Sequence, residues 1–473
     1  MPTITQTLKA LNDRKTTTVA LVEAARARAQ ERAELNALAW VDWECARQAA
    51  EALDGQREAF LRGETPALGA LHGIPLTIKD LFAVQGMPLS AGTRAVLPDP
   101  GSTEAQAVAR LRDAGALLLA KTNMHEIALG ASGENPWTGD VLNPFDPQCQ
   151  AGGSSSGAAV ATAVGIGLAG LGSDTGGSVR IPAAFCGLVG FKPSFGAIPL
   201  HGALHLSWTC DHAGTLALDL ADSTLLYRVL AQRSAAHGAV GRRPRLGIPR
   251  DWLALRLAPE VAEAFEDLLS RLGGMGIDRV DCAMQALLDR AWACYSPIVR
   301  AEAAWVHREA LATGGVGFSD SVLAPLRIGE QLGALQYLDA MQTRKSVIGE
   351  LARILAAVDA LVLPTSAVAP PRRGQTRVET RGGTMLVRDA VLGQTAPFSL
   401  AGLPALSMPY AWAGGLGLPA LSMPYAWAGG LPLGLQLVGA QGSDARLLAL
   451  ARWLEGLGVR LPENQARRTK REE

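Results

Sequence analysis

The stretch that most constrains the fold is the segment at residues 150–187, QAGGSSSGAAVATAVGIGLAGLGSDTGGSVRIPAAFCG, which is rich in glycine and hydroxyl side chains and contains no lysine or glutamate. Glycine and serine are typical of flexible linkers. Here they run directly into AAVATAVGIGLAGLG, a helix-then-strand pattern apolar enough to be buried. The segment therefore predicts a packed backbone in which small residues allow close approaches.

Two common motifs match this segment. Gly165 to Gly170 fits the dinucleotide-binding spacing G-x-G-x-x-G, but that fingerprint opens a helix, whereas here it closes one. Gly153 to Gly157 fits the G-x-S-x-G elbow of α/β-hydrolases, yet the preceding NPFDPQCQAG is not a hydrophobic strand. The elbow, with Ser155 as nucleophile, stays as an alternative. The absence of GKS and GKT excludes a P-loop.

The charge balance argues against a nucleic-acid partner. The chain has 44 basic and 44 acidic residues, and 48% of its residues are hydrophobic, which also argues against disorder. Its six cysteines lie far apart without a CxxC pair, as in a cytoplasmic protein with reduced thiols. The amino terminus lacks a secretion-signal pattern, and we expect no membrane span.

Short apolar runs alternate with amphipathic stretches from about residue 70 onward. The runs GIPLTIKDLF, ALLLAKTN, GLAGLGSD and GLVGFKP are separated by helical patterns such as TEAQAVARLRDAG. This alternation predicts an α/β fold with a central mixed, twisted sheet covered by helices on both faces. We expect an N-terminal helical segment at 1–64 that packs on the core, a main domain at 65–462 with a helical cover at 232–360, and a disordered tail at 463–473.

A block of fifteen residues, GLPALSMPYAWAGGL, occurs twice without a change, at 402–416 and 417–431. Solenoid arrays need at least three repeats, so this block does not predict one. Two interpretations stay open. One is a recent duplication or a sequence-assembly error with one copy looping out, and the other is a lengthened loop at a substrate entrance.

Several motifs together resemble the amidase signature family. GGSSSGAAVA and GLGSDTGGSVRIPAAFCGLVGFKPSFG are similar to its serine-rich core, and HGIPLTIKD is similar to its lysine-bearing strand. The likeness continues through AKTNMHE, GENPWTGDVLNPFDP, LSWTCDHAGTLALDLAD, VLPTS and GLPLGLQLVG, over residues 65–445. The resemblance implies that the main domain is catalytic, that it hydrolyses a small-molecule amide, and that it needs no metal or organic cofactor.

The resemblance also implies three catalytic residues: Ser178 as nucleophile, Ser154 as a bridging serine after a cis peptide bond, and Lys79 as base. A lysine acts as a base only when neutral, so its pKa must fall from about 10.4 toward roughly 7 to 8, which the apolar run before Lys79 favours. Alone, this lysine could equally pair with Asp80. The assignment requires Lys79 to lie within one hydrogen-bonded bridge of Ser178.

The residues before Ser178 predict an oxyanion hole. Glycines let a substrate carbonyl approach the main chain, where N–H groups stabilise the developing negative charge. The donors expected are the backbone groups of Thr175, Gly176, Gly177 and Ser178. Asp174 and Arg180 flank the turn; the resemblance implies that their charges brace it, and an ordinary ion pair is an equal alternative. Ser155 and Ser156 are expected to be helix-capping and structural.

Four large side chains are candidates to line an apolar substrate pocket, although buried packing is the commoner role of such residues and is an equal alternative only for Trp208. They are Met124, Trp137, Phe145 and Trp208. His125 and Glu126 do not form a metal motif, because no further ligand lies at a useful spacing.

The predicted activity is cleavage of an aryl or alkyl amide through an acyl-enzyme, with carbamates and esters open to the same chemistry. One alternative is the amide-transferring component of a glutamine-dependent transfer-RNA amidotransferase, although residues 283–357 do not resemble its tyrosine- and asparagine-rich segment. Another is a binding relative without catalysis. We expect a monomer or homodimer.

Overall fold

An eleven-stranded mixed sheet runs through the computed structural model, which describes residues 1–64, 67–233, 242–409, 427–428 and 430–459. The prediction of an α/β fold with a central mixed sheet is confirmed. The strands in chain order are β1 (Leu38–Trp40), β2 (Pro75–Lys79), β3 (Leu117–Thr122), β4 (Ala169–Asp174), β5 (Val189–Lys192), β6 (His212–Ala217), β7 (Arg245–Ile248), β8 (Asp278–Asp281), β9 (Ala360–Pro364), β10 (Arg377–Thr380), β11 (Gly383–Leu386), β12 (Ala405–Pro409), β13 (Trp427–Ala428), β14 (Leu431–Pro432) and β15 (Gly434–Val438).

The large sheet has the order β1-β3-β2-β4-β6-β5-β12-β15-β9-β7-β8, and the remaining strands form two antiparallel ribbons, β10–β11 and β13–β14. Strand β2 is parallel to both β3 and β4, whereas β6, β5, β12 and β15 pair antiparallel with their neighbours. Every residue of β2, β3 and β4 is buried, which explains why these strands read as continuous apolar runs.

Helices flank the sheet along its length. Among the described residues they are α1 (Ile4–Asn12), α2 (Thr18–Glu31), α3 (Trp43–Leu61), α4 (Gln106–Asp113), α5 (Ser156–Val164), α6 (Arg180–Phe185), α7 (Leu220–Ala231), α8 (Arg250–Leu253), α9 (Pro259–Gly274), α10 (Gln285–Val306), α11 (Arg308–Ala312), α12 (Asp320–Glu330), α13 (Ala334–Leu355), α14 (Val387–Leu392), α15 (Ala396–Leu400) and α16 (Asp444–Leu454). Helices α3 and α5 contact the first strands, and α6, α7 and α16 contact the middle ones. No helix of the described segments is long and apolar enough to cross a membrane.

The glycine- and serine-rich segment is packed inside the molecule, as predicted. It forms helix α5, strand β4, a turn and helix α6, and nearly all of it is buried. A Cβ on Gly157 would lie 2.3 Å from Ala37 O and 2.4 Å from Asn123 O. Glycine is required here because two backbone segments touch the helix at its first turn.

The N-terminal segment at 1–64 and the region at 232–360 contain strands as well as helices. Residues 1–64 contribute β1 to one edge of the sheet as well as three helices, and the Thr17 side chain caps α2 by accepting from Ala20 N. Helices predominate in the predicted cover at 232–360, but β7 and β8 also lie there. Both strands pair with the sheet and extend its opposite edge.

The duplicated block supplies part of the sheet. Residues Ala405–Pro409 of its first copy form β12, between β5 and β15. Most of the second copy and the predicted tail at 463–473 lie outside the described residues.

Candidate active site

The carboxyl ends of β2 and β4 meet at one edge of the sheet, because the two strands are adjacent and parallel. Lys79 is the last residue of β2 and is fully buried. Its Nζ lies 2.7 Å from Ser154 Oγ and 2.8 Å from Ser173 Oγ. The alternative pairing with Asp80 is not observed, since that carboxylate forms an ion pair with Lys121 at 2.7 Å.

Burial sets the protonation of Lys79. Removing the ammonium group from water lowers the pKa of Lys79 to about 7, and the negative charges of Asp174 and Asp211 offset only part of this effect. The value falls at the lower end of the range that a lysine base requires. A large share of the molecules therefore carries an uncharged amine near neutral pH.

Ser154 is held by contacts on both sides. The expected cis peptide bond between Gly153 and Ser154 is present, and Ser154 O accepts a hydrogen bond from His125 N at 3.2 Å. The next residue, Ser155, donates its hydroxyl to Ser173 O at 3.1 Å. Ser155 stands at the N-cap of α5, but its hydroxyl makes no capping hydrogen bond to the helix, so the capping prediction is wrong. This structural use of its hydroxyl leaves Ser155 unsuited to the alternative role of nucleophile.

Ser178 lies beside this group, in the turn after β4. Its side chain is buried, and its carbonyl oxygen accepts a hydrogen bond from Ser155 N at 3.2 Å. Within the described part of the chain, no hydrogen bond joins the hydroxyls of Ser154 and Ser178. The structure thus brings Lys79 and Ser154 together directly and fixes Ser178 next to them through the backbone.

The glycine turn, residues 175–178, presents free backbone donors. All four residues are buried, yet none of their N–H groups donates a hydrogen bond to a described residue. Buried N–H groups without a partner are rare in proteins, because each one loses its hydrogen bond to water. Such a cluster beside Ser178 is the arrangement that an oxyanion needs.

Side chains from distant parts of the sequence hold this turn. Thr175 Oγ1 donates to Asp211 Oδ1 at 2.7 Å, and Thr395 Oγ1 donates to Gly176 O at 2.6 Å. A Cβ on Gly176 would lie 2.2 Å from the hydroxyl oxygen of Tyr295. Sequence reasoning missed these contacts. Asp211 stands in a family-like motif that could have signalled it, whereas Thr395 and Tyr295 carry no such signal.

Asp174 and Arg180 form the expected ion pair. Both are fully buried, and the guanidinium contacts the two carboxylate oxygens at 2.8 and 3.0 Å. Burial alone would raise the pKa of Asp174, but the charge and hydrogen bonds of Arg180 hold it well below its usual range. Asp174 Oδ2 also accepts from Val179 N, so the pair braces the turn from β4 to α6.

The four pocket candidates lie in different surroundings. Met124 is fully buried in the hydrophobic core, and Trp137 donates its indole N–H to Glu126 at 2.9 Å. Phe145 lies against Gly187, whose Cβ would be 3.4 Å from the ring. Trp208 is 38% exposed and packs edge-on against Trp305. Substrate contact stays a prediction for all four.

His125 and Glu126 have separate environments. Burial, with a smaller effect of the charge of Lys79, lowers the pKa of His125 to about 4. Glu126 accepts hydrogen bonds from Thr93, Trp137 and Ser319. In the part of the chain that the structure describes, no three His, Cys, Asp or Glu side chains are grouped so as to hold a metal ion.

Alanine at Gly177 should disrupt the glycine turn. Gly177 has φ +144°, and a Cβ there would lie 2.2 Å from Thr395 Oγ1 and 2.5 Å from Ile181 Cδ1. We expect Gly177→Ala to lower kcat/KM by about 100-fold or more, because the oxyanion donors shift. Kinetic assays of the purified variant would measure this.

The matched control is Gly349→Ala on α13, where a Cβ has no neighbour within 4 Å. It should keep full activity and gain about 0.5 to 1 kcal/mol of stability, as alanine does in a helix interior. Equal activities of the two variants would rule out a tight steric requirement at Gly177.

Comparison with known proteins agrees with this fold. A family model described as Amidase matches residues 20–448. The chain therefore belongs to the amidase signature family, and it is an amide hydrolase.

Relatives with different activities match it to similar degrees. The chain is 46% identical to a protein whose structure is described as a crystal structure of amidase, with a TM-score of 0.89 over 96% of this chain and 100% of that one. It is 32% identical to the A component of glutamyl-tRNA(Gln) amidotransferase from Symbiobacterium thermophilum, over 85% of each chain. It is also 32% identical to the indoleacetamide hydrolase of Agrobacterium vitis, over 96% of each chain.

Proposed function

We propose that the chain hydrolyses linear amides through an acyl-enzyme on Ser178, with Lys79 as the base and Ser154 as the relay between them. The observation that carries this proposal is the fully buried amine of Lys79, with a pKa of about 7, at 2.7 Å from the Ser154 hydroxyl. A buried lysine without such a partner would destabilise the fold through its desolvation and would have no group to deprotonate.

The reaction proceeds in two halves. In the first, Lys79 Nζ takes the proton of Ser154 Oγ, which takes the proton of Ser178 Oγ as that oxygen attacks the amide carbonyl carbon. The oxyanion forms against the glycine turn, and the C–N bond breaks as the leaving nitrogen receives a proton from Ser154, which Lys79 resupplies. In the second half, water attacks the ester on Ser178 by the same relay and releases the acid.

The contact between the Ser154 and Ser178 hydroxyls belongs to this proposal. Catalytic hydrogen bonds are often long without substrate and shorten in the reacting complex. The hydrogen bond from Ser155 N to Ser178 O supports the proposal, because it keeps Ser154, the neighbour of Ser155, beside Ser178.

The surroundings of the glycine turn favour an uncharged, apolar substrate. The side chains nearest to a Cβ at Gly176 or Gly177 are those of Tyr295, Leu392, Thr395 and Ile181, and none of them is ionised. Tyr295 stacks on Trp292 with ring centroids 6.0 Å apart, which places an aromatic surface behind the turn. The indoleacetamide hydrolase relative, named for an aryl-substituted amide, agrees with this choice.

A second candidate is the amide-transferring component of a transfer-RNA amidotransferase. The relative from Symbiobacterium thermophilum favours it at 32% identity. Such a protein would release ammonia from glutamine and would depend on partner subunits. The acyl chemistry at Ser178 would be the same, so the substrate and the partners distinguish the two functions.

Turnover by the purified chain alone tests the choice. Ammonia or amine release would be measured with phenylacetamide, acetanilide, hexanamide, a phenyl carbamate and glutamine. We expect the aryl and alkyl amides to be hydrolysed faster than glutamine without any partner. The second candidate would be favoured if glutamine were the one substrate hydrolysed and if its hydrolysis required the other amidotransferase components. Binding of an amide with no turnover would indicate a relative without catalysis.

A further inference from the structure

A buried carboxylate on α10 contacts the loop beside the glycine turn. Glu302 is 1% exposed and accepts hydrogen bonds from Ser207 Oγ at 2.7 Å, Thr209 N at 3.2 Å, Thr209 Oγ1 at 2.9 Å and Tyr337 Oη at 2.8 Å. No lysine or arginine of the described residues forms an ion pair with it. Burying a carboxylate is costly, and here neutral donors, three of them from one short loop, offset that cost.

A second carboxylate holds the same loop, residues 205–211, from within. Asp211 accepts hydrogen bonds from Leu206 N at 3.0 Å, Ser207 N at 3.0 Å and His205 Nδ1 at 3.0 Å. Ser207 is therefore held twice, with its N–H on Asp211 and its hydroxyl on Glu302. The loop cannot shift without breaking bonds to one carboxylate or the other.

Asp211 also binds the glycine turn. Thr175 Oγ1 donates to Asp211 Oδ1 at 2.7 Å, and Thr175 is the first residue after β4. A continuous path of hydrogen bonds thus runs from Glu302 through Ser207 and Asp211 to Thr175. Oxyanion donors act only at a narrow range of distances from the reacting oxygen, so a displacement of Thr175 would weaken them.

We propose that Glu302 is a positioning residue for the oxyanion donors of the glycine turn. It acts through the loop and Asp211 and touches neither substrate nor Ser178. The proposal rests on the hydrolase function given above. It assigns a role in catalysis to α10, more than 100 residues from the serine motifs.

The test compares Glu302→Gln with Tyr337→Phe, which removes a donor to the same carboxylate but leaves its bonds to Ser207 and Thr209. We expect Glu302→Gln to lower kcat for an aryl amide by about tenfold or more, with KM within about threefold of the wild type. Tyr337→Phe should stay within about threefold for both constants. The melting temperatures of both variants, compared with the assay temperature, show whether each variant is folded during the assay.

A double mutant with Thr175→Val tests the path itself. If Glu302 acts through Thr175, the combined loss in kcat falls well short of the product of the two single losses. A combined loss in kcat equal to the product of the two single losses overturns the path. Hydrogen exchange at the N–H groups of Leu206 and Ser207 gives a readout that needs no activity, and Glu302→Gln should speed it at least about tenfold relative to Tyr337→Phe.

The outcomes separate this inference from the proposed function. An active wild type with unchanged kcat in Glu302→Gln overturns the positioning role and leaves the hydrolase function intact. A wild type that hydrolyses no amide contradicts the proposed function, and unchanged exchange at Leu206 and Ser207 then overturns the loop contact as well.

Discussion

Replacing Ser178 with alanine is expected to lower kcat on any amide substrate by about 10⁴-fold or more, because no acyl-enzyme can form. Ser178 is the serine of the glycine turn, where the N–H groups of residues 175–178 have no partner among the described residues. Steady-state kinetics on the purified variant measure the loss. The fold should be unaffected, since the structure records no hydrogen bond from the Ser178 hydroxyl to a described residue.

The matched control is Ser156→Ala in the neighbouring serine motif. The Ser156 hydroxyl is buried and has no hydrogen-bond partner among the described residues, so its removal should change kcat by less than about threefold. Mass spectrometry of the wild type, quenched during turnover of a slow ester, should find the acyl group on Ser178. Activity that survives in Ser178→Ala would show that another residue is the nucleophile.

Replacing Lys79 with methionine should abolish activity and stabilise the protein at neutral pH. Burial lowers the pKa of Lys79 to about 7 from 10.5, so the folded state disfavours the proton that the unfolded chain holds. The unfolded state then binds more protons between these values, and the stability of the wild type rises with pH across that range. At pH 7 this cost of the lysine is about 4 kcal/mol, an upper limit to the gain from methionine.

Urea unfolding at several pH values measures this effect. The advantage of Lys79→Met should be constant at its largest value below about pH 6, should still be about 4 kcal/mol at pH 7, and should shrink by roughly 1 kcal/mol per pH unit from there toward pH 10. The matched control is Lys121→Met, which also removes a buried lysine at the end of a strand. It leaves Asp80 buried without its ion-pair partner and should destabilise by about 3 to 5 kcal/mol. A destabilised Lys79→Met with no pH dependence would indicate that Lys79 is charged in the folded state.

The sequence predicts the fold and the catalytic motifs because both depend on local patterns. The runs around Lys79 and the helix-then-strand pattern after Ser154 appear in the structure as β2, α5 and β4. The order of the strands in the sheet places Lys79 and Ser173 on neighbouring strands. That order cannot be predicted from local sequence patterns.

Three buried lysines show where sequence reasoning stops. Lys79, Lys121 and Lys192 each lie at or near the end of a buried strand, and each is fully buried. Lys121 pairs with Asp80, and Lys192 donates to the carbonyl oxygens of Pro193 and Leu403. Composition and periodicity do not separate these environments, and the family motif alone singled out Lys79.

The residues of α10 that hold the site from a distance could not be predicted from the sequence. Tyr295 and Glu302 lie on α10, which reads as an ordinary amphipathic helix, and tertiary packing alone brings it against the glycine turn and its loop. Pocket residues are equally hard to predict, because an aromatic side chain such as Trp137 satisfies the same pattern whether it meets a substrate or a buried glutamate.

The most direct test of an uncharged Lys79 is the pH dependence of kcat/KM for a neutral amide, which reports ionisations of the free enzyme. Two other groups titrate nearby and need control variants. The hydrogen bond to Asp211 raises the pKa of His205, and burial lowers that of Lys192 to about 7. The variants His205→Asn and Lys192→Met should therefore keep the wild-type profile. We predict that kcat/KM rises through a single ionisation near pH 7, as Lys79 loses its proton, and then stays level. A rise of kcat/KM centred near pH 10 would contradict the account. Loss of the rise near pH 7 in either control variant would contradict it as well.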